Sequence, residues 1–136
     1  MKTLKLAIAG IALVISGILQ AQVSVTIGTP PPWGPTEASG IRFYYLPDIQ
    51  MYFDVNTGEY IYYSGGTWIH TTFLPHAYRH YDFYKAYKVP LRDYHGEKPW
   101  ENHADYHKNY PKGYHHGEQQ KTFGERPHDD HGHDKH

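Results

Sequence analysis

The hydrophobic pattern divides the chain into four stretches. Residues 6–19 are almost wholly apolar, 22–41 are broken by proline, 42–75 carry dense aromatic and β-branched runs, and 76–136 become progressively polar. The third stretch, RFYYLPDIQMYFDVNTGEYIYYSGGTWIHTTFLP, has the composition of a β-sheet. Three runs within it are separated by Asn56-Thr57-Gly58 and by Gly65-Gly66, residue types that reverse a strand. Gly58 can take the left-handed conformation that closes a three-residue loop, and Gly65-Gly66 suits a two-residue primed turn. The pattern therefore predicts a three-stranded antiparallel meander. In it Phe53 lies across from Ile61 and Tyr63 across from Trp68, with Tyr52, Tyr62 and Ile69 sharing the opposite face. Both faces are aromatic. One covers a core, and the other either meets the second half of the chain or stays exposed as an adhesive surface.

Leu74-Pro75 opens a new element, since proline is favoured in the first turn of a helix. Over 76–88, HAYRHYDFYKAYK, the residues Ala77, Tyr81, Tyr84 and Lys88 fall on one line, with Leu74, Tyr78 and Phe83 nearby. This predicts a short amphipathic helix laying an aromatic stripe on the sheet. Its composition is poor for helix, so a tertiary contact has to hold it. Val89-Pro90 ends it, and 88–94 reads as extended. Gly96-Glu97-Lys98-Pro99 then turns into a second helix over 99–110, stopped by Pro111 and Gly113. Beyond Tyr114 one aromatic residue, Phe123, stands among histidine, glycine and charged residues. Such a segment buries too little apolar surface to offset its ordering entropy, so 113–136 is expected as a disordered histidine-rich tail. The fold class expected is α+β: over 41–112, a small three-stranded antiparallel β-meander packed with one or two short aromatic helices.

At the other end, Lys2 and Lys5 precede the apolar run, and Gln20-Ala21 closes on a small residue, the make-up of a secretory signal peptide over 1–21. The run is short for a membrane span and no basic cluster follows it, so no stable span is expected after cleavage. The expected location is periplasmic or extracellular. Removing Lys2 and Lys5 lowers the formal charge by two, from −1 to −3. Residues 22–40 read as a proline-rich leader, a linker or edge segment with Trp33 as its anchor, in which alternating Val23, Val25 and Ile27 suit one short strand.

The absence of cysteine excludes disulfides, thiolate metal sites and thiol catalysis. Near-neutral charge argues against a nucleic-acid partner. All 12 histidines lie between His70 and His136, so their protonation below about pH 6 would swing the chain strongly positive.

Histidine supplies the candidate chemistry. His76 with His80, and His103 with His107, are spaced i, i+4, which on a helix puts both imidazoles on one face where they can share a divalent cation. Asp82, Glu101 and Asp105 could complete a shell. The other reading is that these are polar residues on the solvent side of aromatic helices. In the tail, His115, His116, His128, His131, His133 and His136 accompany Asp129, Asp130 and Asp134, a set suited to zinc, copper(II) or nickel. The competing reading there is a solubilising segment that binds metal as any histidine-rich peptide does. The tyrosines, 14 in all, either form the core or offer Tyr52, Tyr60, Tyr62 and Trp68 as an aromatic binding face. No His-Glu-x-x-His, Gly-x-Ser-x-Gly or phosphate-cradling loop is present, so a non-enzyme is expected.

Tyr44-Tyr45-Leu46-Pro47-Asp48, Met51-Tyr52-Phe53-Asp54, Gly58-Glu59-Tyr60-Ile61-Tyr62-Tyr63, Gly66-Thr67-Trp68 and Leu74-Pro75 together resemble a pattern in small exported tyrosine-rich proteins of Gram-negative bacteria, the Bacteroidetes type. That family implies secretion and a fold, and brings no activity with it. Asp54-Val55-Asn56-Thr57-Gly58 is also similar to the first hairpin of WW domains. Val55 stands in place of the usual histidine and Tyr62 in place of the second tryptophan, so that likeness is one of turn chemistry. The function expected is exported, non-catalytic binding of divalent metal as buffer, scavenger or sensor, with tail histidines as capture ligands. The alternative is a cell-envelope structural or binding module whose aromatic sheet face holds a polymer or protein.

Overall fold

The computed structural model describes residues 27–128. The expected signal peptide, Val23, Val25, and the tail histidines His131, His133 and His136 lie outside them. Among the described residues the architecture is α+β: one antiparallel sheet with a single short helix. The sheet has five strands, not three. They are β1 (Phe43–Leu46), β2 (Met51–Asp54), β3 (Glu59–Ser64), β4 (Thr67–Thr71) and β5 (Val89–Pro90), in the spatial order β4-β3-β2-β1-β5. Two features add the extra strands. The run after Arg42 is folded in half at Pro47-Asp48-Ile49-Gln50, where Gln50 takes a positive φ of 51° and Gly113 N–H donates to Asp48 Oδ1 at 2.7 Å. The segment after Lys88 then returns to pair with β1, joining Tyr45 to Val89 and Tyr44 to Pro90.

The β3–β4 hairpin has the expected register, Tyr63 against Trp68 and Tyr62 against Ile69, closed by Gly65 and Gly66. The β2–β3 hairpin does not. Its loop holds four residues, Val55 to Gly58, because Val55 N–H is taken by the Arg42 carbonyl at 2.8 Å and Gly58 N–H reaches back to the Asp54 carbonyl at 2.8 Å. Phe53 consequently pairs with Tyr60 and Tyr52 with Ile61. A slip of one residue exchanges the faces of a strand. Tyr52 lies with Ile61 and Trp68, whereas Phe53, Tyr60 and Tyr62 line the other side.

All eight residues of β1 and β2 are buried, so the sheet centre is covered twice. On one face Tyr44, Leu46, Met51 and Phe53 meet Trp33, Ala38, Leu74, Tyr78, Tyr81 and Phe83. On the other, Phe43, Tyr45, Tyr52 and Ile61 meet Val89, Leu91, Tyr94, Trp100, Tyr106 and Tyr110. The expected helix over 76–88 is replaced by a 3-10 turn at His76–Tyr78 and further turns. Asp82 Oδ1 accepts from the N–H groups of Tyr84 and Lys85 at 3.1 and 3.2 Å, and Lys88 Nζ, fully buried, donates to the Phe83 carbonyl at 2.5 Å. These bonds, and the placing of Leu74, Tyr78, Tyr81 and Phe83 on the core, outweigh a helix whose residues have weak propensity. The second expected helix is present as a 3-10 turn, Pro99–Asn102, leading into α1 (His103–Asn109).

The first and last segments of the described residues are both tied to the rest of the protein, the first by the Trp33 anchor expected of it. Trp33 anchors the leader, with its ring centroid 4.7 Å from that of Phe53 and 4.6 Å from that of Phe83. The expectation of disorder from position 113 on does not hold up to His128, because that segment is tied down by polar contacts. Thr36 N–H donates to the Lys121 carbonyl at 2.8 Å, Phe123 N–H to Gly34 at 3.0 Å and Gly124 N–H to Pro32 at 2.7 Å. Gln119 donates to the carbonyls of Tyr84 and Lys85, and Arg126 pairs with Asp82.

Replacing Trp33 by Ala should therefore cost about 3 kcal/mol of stability, as aromatic truncation in a packed site does. Urea unfolding of wild type and variant measures this. A cost near zero would return 27–40 to the status of a linker.

Candidate functional site

The cover on the sheet runs out towards β4. There the ends of β2 and β3, strand β4 and the loop before α1 enclose an open cleft of ≈ 440 Å³, with Trp68 and Trp100 in its walls. Each tryptophan is held by its surroundings. Trp68 packs edge-on to Tyr52 and His103, at centroid distances of 5.9 and 5.0 Å. Trp100 stands perpendicular to His70 at 4.8 Å, and His70 Nδ1 lies 3.2 Å from Glu59 Oε2. At the cleft floor the Arg42 guanidinium grips Asp54 with two bonds, Nε to Oδ1 at 3.2 Å and Nη2 to Oδ2 at 3.1 Å. That bond, and to a lesser extent the charge of Asp54, hold Arg42 protonated. Glu97, Lys98 and Glu101 complete the rim. Four carboxylates against two cations make the cleft acidic. Two fixed indole rings beside an array of charged hydrogen-bonding groups form a surface that can hold a ring-shaped, hydroxyl-bearing ligand.

Beneath Trp68 lies the half-buried His103. Its Nδ1 shares a 2.8 Å hydrogen bond with the Tyr52 hydroxyl. Burial, and the neighbouring charges of Tyr45 and Tyr106 to a lesser degree, raise the Tyr52 pKa far above its usual value, so the phenol keeps its proton and can donate it to Nδ1. His103 itself is lowered below the ordinary histidine value, first by burial and then by His107. The His103 and His107 rings lie nearly parallel, at 21° and 5.8 Å between centroids.

The sequence-derived ligand sets separate in space. His76 sits in a 3-10 turn and His80 in a following turn, so their four-residue spacing does not give them a shared helical face. His103 and His107 are on one helix, but no third donor joins them. Among the described residues no group of three or more His, Asp or Glu side chains gathers as a metal shell. His115, His116 and His128 are exposed. The aromatic set divides as well. Tyr52 has 0% exposure and is closed to any partner, Tyr60 and Tyr62 belong to the opposite face, and Trp68 alone reaches the cleft. Trp100 and Arg42 carry no candidate role in the sequence reading, and Asp54, paired there with Asp48, reads as a turn residue. The signal for Trp100 was its place just after Pro99, where a proline-started turn fixes the next side chain.

No family model, curated protein or solved structure matches the chain. Its site must be read from its own chemistry. No helix among the described residues is long and apolar enough to cross a membrane.

The Tyr52–His103 contact has a pH signature. The folded protein prefers neutral His103, so the stability from this group is fully present above about pH 6.5 and is lost as pH falls through the lowered folded value. His103→Gln removes the titration. The variant's melting temperature should fall less than that of wild type between pH 7.5 and 5, and NMR titration should place the His103 pKa below the ordinary histidine value. Equal losses in the two proteins would contradict the assignment.

Proposed function

We propose that this protein is a non-catalytic binding module of the cell envelope, and that its ligand is a glycan chain held in the Trp68–Trp100 cleft. The observation that carries the reading is the presence of two anchored indoles in one open cleft walled by Arg42, Asp54, Glu59, Glu97 and Glu101. Sugar rings offer apolar C–H faces that stack on indole and hydroxyls that bond to carboxylate and guanidinium. A cleft open to solvent suits an extended polymer, whereas a small metabolite would be expected in a closed pocket. The acidic balance favours a neutral or amino-bearing glycan over a sulfated or uronic one.

The test is tryptophan fluorescence titration with soluble cello-oligosaccharides, chito-oligosaccharides and peptidoglycan fragments. At least one should bind, and Trp100→Ala should weaken it by about tenfold or more, equal to ~1.4 kcal/mol. A panel without binding, or equal affinity for the variant, would remove this reading.

A second reading, metal capture as buffer or scavenger, is favoured by one observation: eight of the nine described histidines are exposed and so accessible to a cation. It would be loose capture by the tail and not an ordered centre. Calorimetry with zinc should give binding at pH 7.5 that vanishes at pH 5.5, because imidazole must be neutral to bind. It should also fall when His128, His131, His133 and His136 are together changed to Ala. Binding insensitive to those four substitutions would count against it. Substitution is preferable to truncating at Lys112, which would strip away the contacts of Gln119, Gln120 and Phe123.

A further inference from the structure

The two edges of the sheet are finished differently. At β5 the Gln120 carboxamide occupies the neighbouring backbone. Its Oε1 accepts from Lys88 N–H at 2.8 Å and its Nε2 donates to the Lys88 carbonyl at 2.8 Å, while Pro90 has no N–H to offer. Another strand cannot readily add there. At β4 none of the usual protections is found. The strand reads Thr67-Trp68-Ile69-His70-Thr71, with no lysine, proline or bulge, and its register with β3 runs unbroken over five pairs.

Which backbone groups face outward follows from the turn. Gly65 and Gly66 have φ of 60° and 83°, a type I′ turn whose closing bond runs from Thr67 N–H to the Ser64 carbonyl. Antiparallel pairs alternate, so Ser64–Thr67, Tyr62–Ile69 and Tyr60–Thr71 exchange the ladder bonds. The N–H and C=O groups of Trp68 and His70 then point away from the sheet.

We propose that β4 is a self-association edge and that it pairs, antiparallel and centred on Ile69, with β4 of a second copy of this chain. The sequence is close to a palindrome about that residue. In this register the outward groups of Trp68 meet those of the second copy's His70, and the two-fold axis repeats the pair, so four backbone groups on each copy find partners. Thr67 faces Thr71 at both ends, a pairing that sheets favour, Ile69 faces its own twin, and no like charges are opposed. Tyr63 and Phe73, 57% and 81% exposed, flank the strand and add apolar area. Because β5 is closed, the contact ends at two copies and does not propagate into a fibre. The pairing stands independently of what the cleft binds.

Sedimentation velocity of the full chain should show a concentration-dependent shift from the monomer mass to twice that mass. Thr67→Lys with Thr71→Lys sets lysines opposite one another in both symmetric pairs and should abolish the shift. Thr67→Lys with Thr71→Glu sets opposite charges there and should keep it. Both variants lose the same Thr71–Phe73 turn bonds, so a folding defect visible by circular dichroism would be common to them. A monomer mass at every concentration overturns the proposal. So does a double-lysine variant that dimerises like wild type, or a lysine–glutamate variant that does not dimerise.

Discussion

Two-sided burial of β1 and β2 is the constraint on which the remainder depends. A strand buried on both faces requires a layer above and a layer below, and among the described residues there is one seven-residue helix, and no disulfide, with which to build them. The cover is therefore made of irregular segments carrying aromatic rings, 27–40 and 74–83 on one face and 87–114 on the other. Large rings suit that task, because each covers much area for few ordered torsions. The layers do not reach the far side of the sheet. β3 becomes exposed towards its end and β4 is never fully buried. The acidic cleft and the unprotected edge both arise where the cover stops.

Using tyrosine as core material has an electrostatic consequence. Tyr44 and Tyr45, both fully buried, leave their hydroxyls without a partner, and burial pushes each pKa up to about 12. An unpaired buried hydroxyl lowers stability by about 1–3 kcal/mol, and the rings have to outweigh that through packing. Tyr45 does so against Tyr52, His103, Tyr106 and Tyr110. Tyr52 escapes the penalty by reaching His103, 51 residues away, which also fixes the imidazole beneath Trp68. One hydrogen bond thus links the sheet centre to the wall of the cleft.

Those links show why part of the molecule was legible in the sequence and part was not. Gly65-Gly66 specifies its own turn, and the register it sets was correct. Asn56-Thr57-Gly58 suggested a three-residue loop, but Val55 was drawn into the loop by the carbonyl of Arg42, the residue just before β1, and the faces exchanged. Pro47-Asp48 marked a reversal that an aromatic run on either side concealed, and Gln50 in the left-handed region gave no compositional hint. The helix over 99–110 was readable because proline starts it and Pro111 stops it. In the site, histidine abundance pointed to metal, while His70 and His103 are engaged with Glu59, Trp100 and Tyr52. The cleft itself joins residues from positions 42 to 101 and has no local signature.

Lys88 shows most clearly how long-range packing overrode local pattern. The expected helix places it last, one turn beyond Tyr84 on the line that faces the sheet. Instead its ammonium turns back to the Phe83 and Tyr84 carbonyls, at 2.5 and 3.4 Å, and burial pushes its pKa down to about 8 against the opposing pull of Asp82. A helix would have used the Tyr84 carbonyl for its own ladder at this position. With the ammonium in that place the backbone of Lys88 is free to enter the sheet edge, where Gln120 takes both its N–H and its C=O. The same residue therefore prevents the helix, leads directly into β5 and docks the segment that composition had marked as tail. Closing that edge is what leaves β4 as the one strand whose outward backbone groups still face solvent among the described residues.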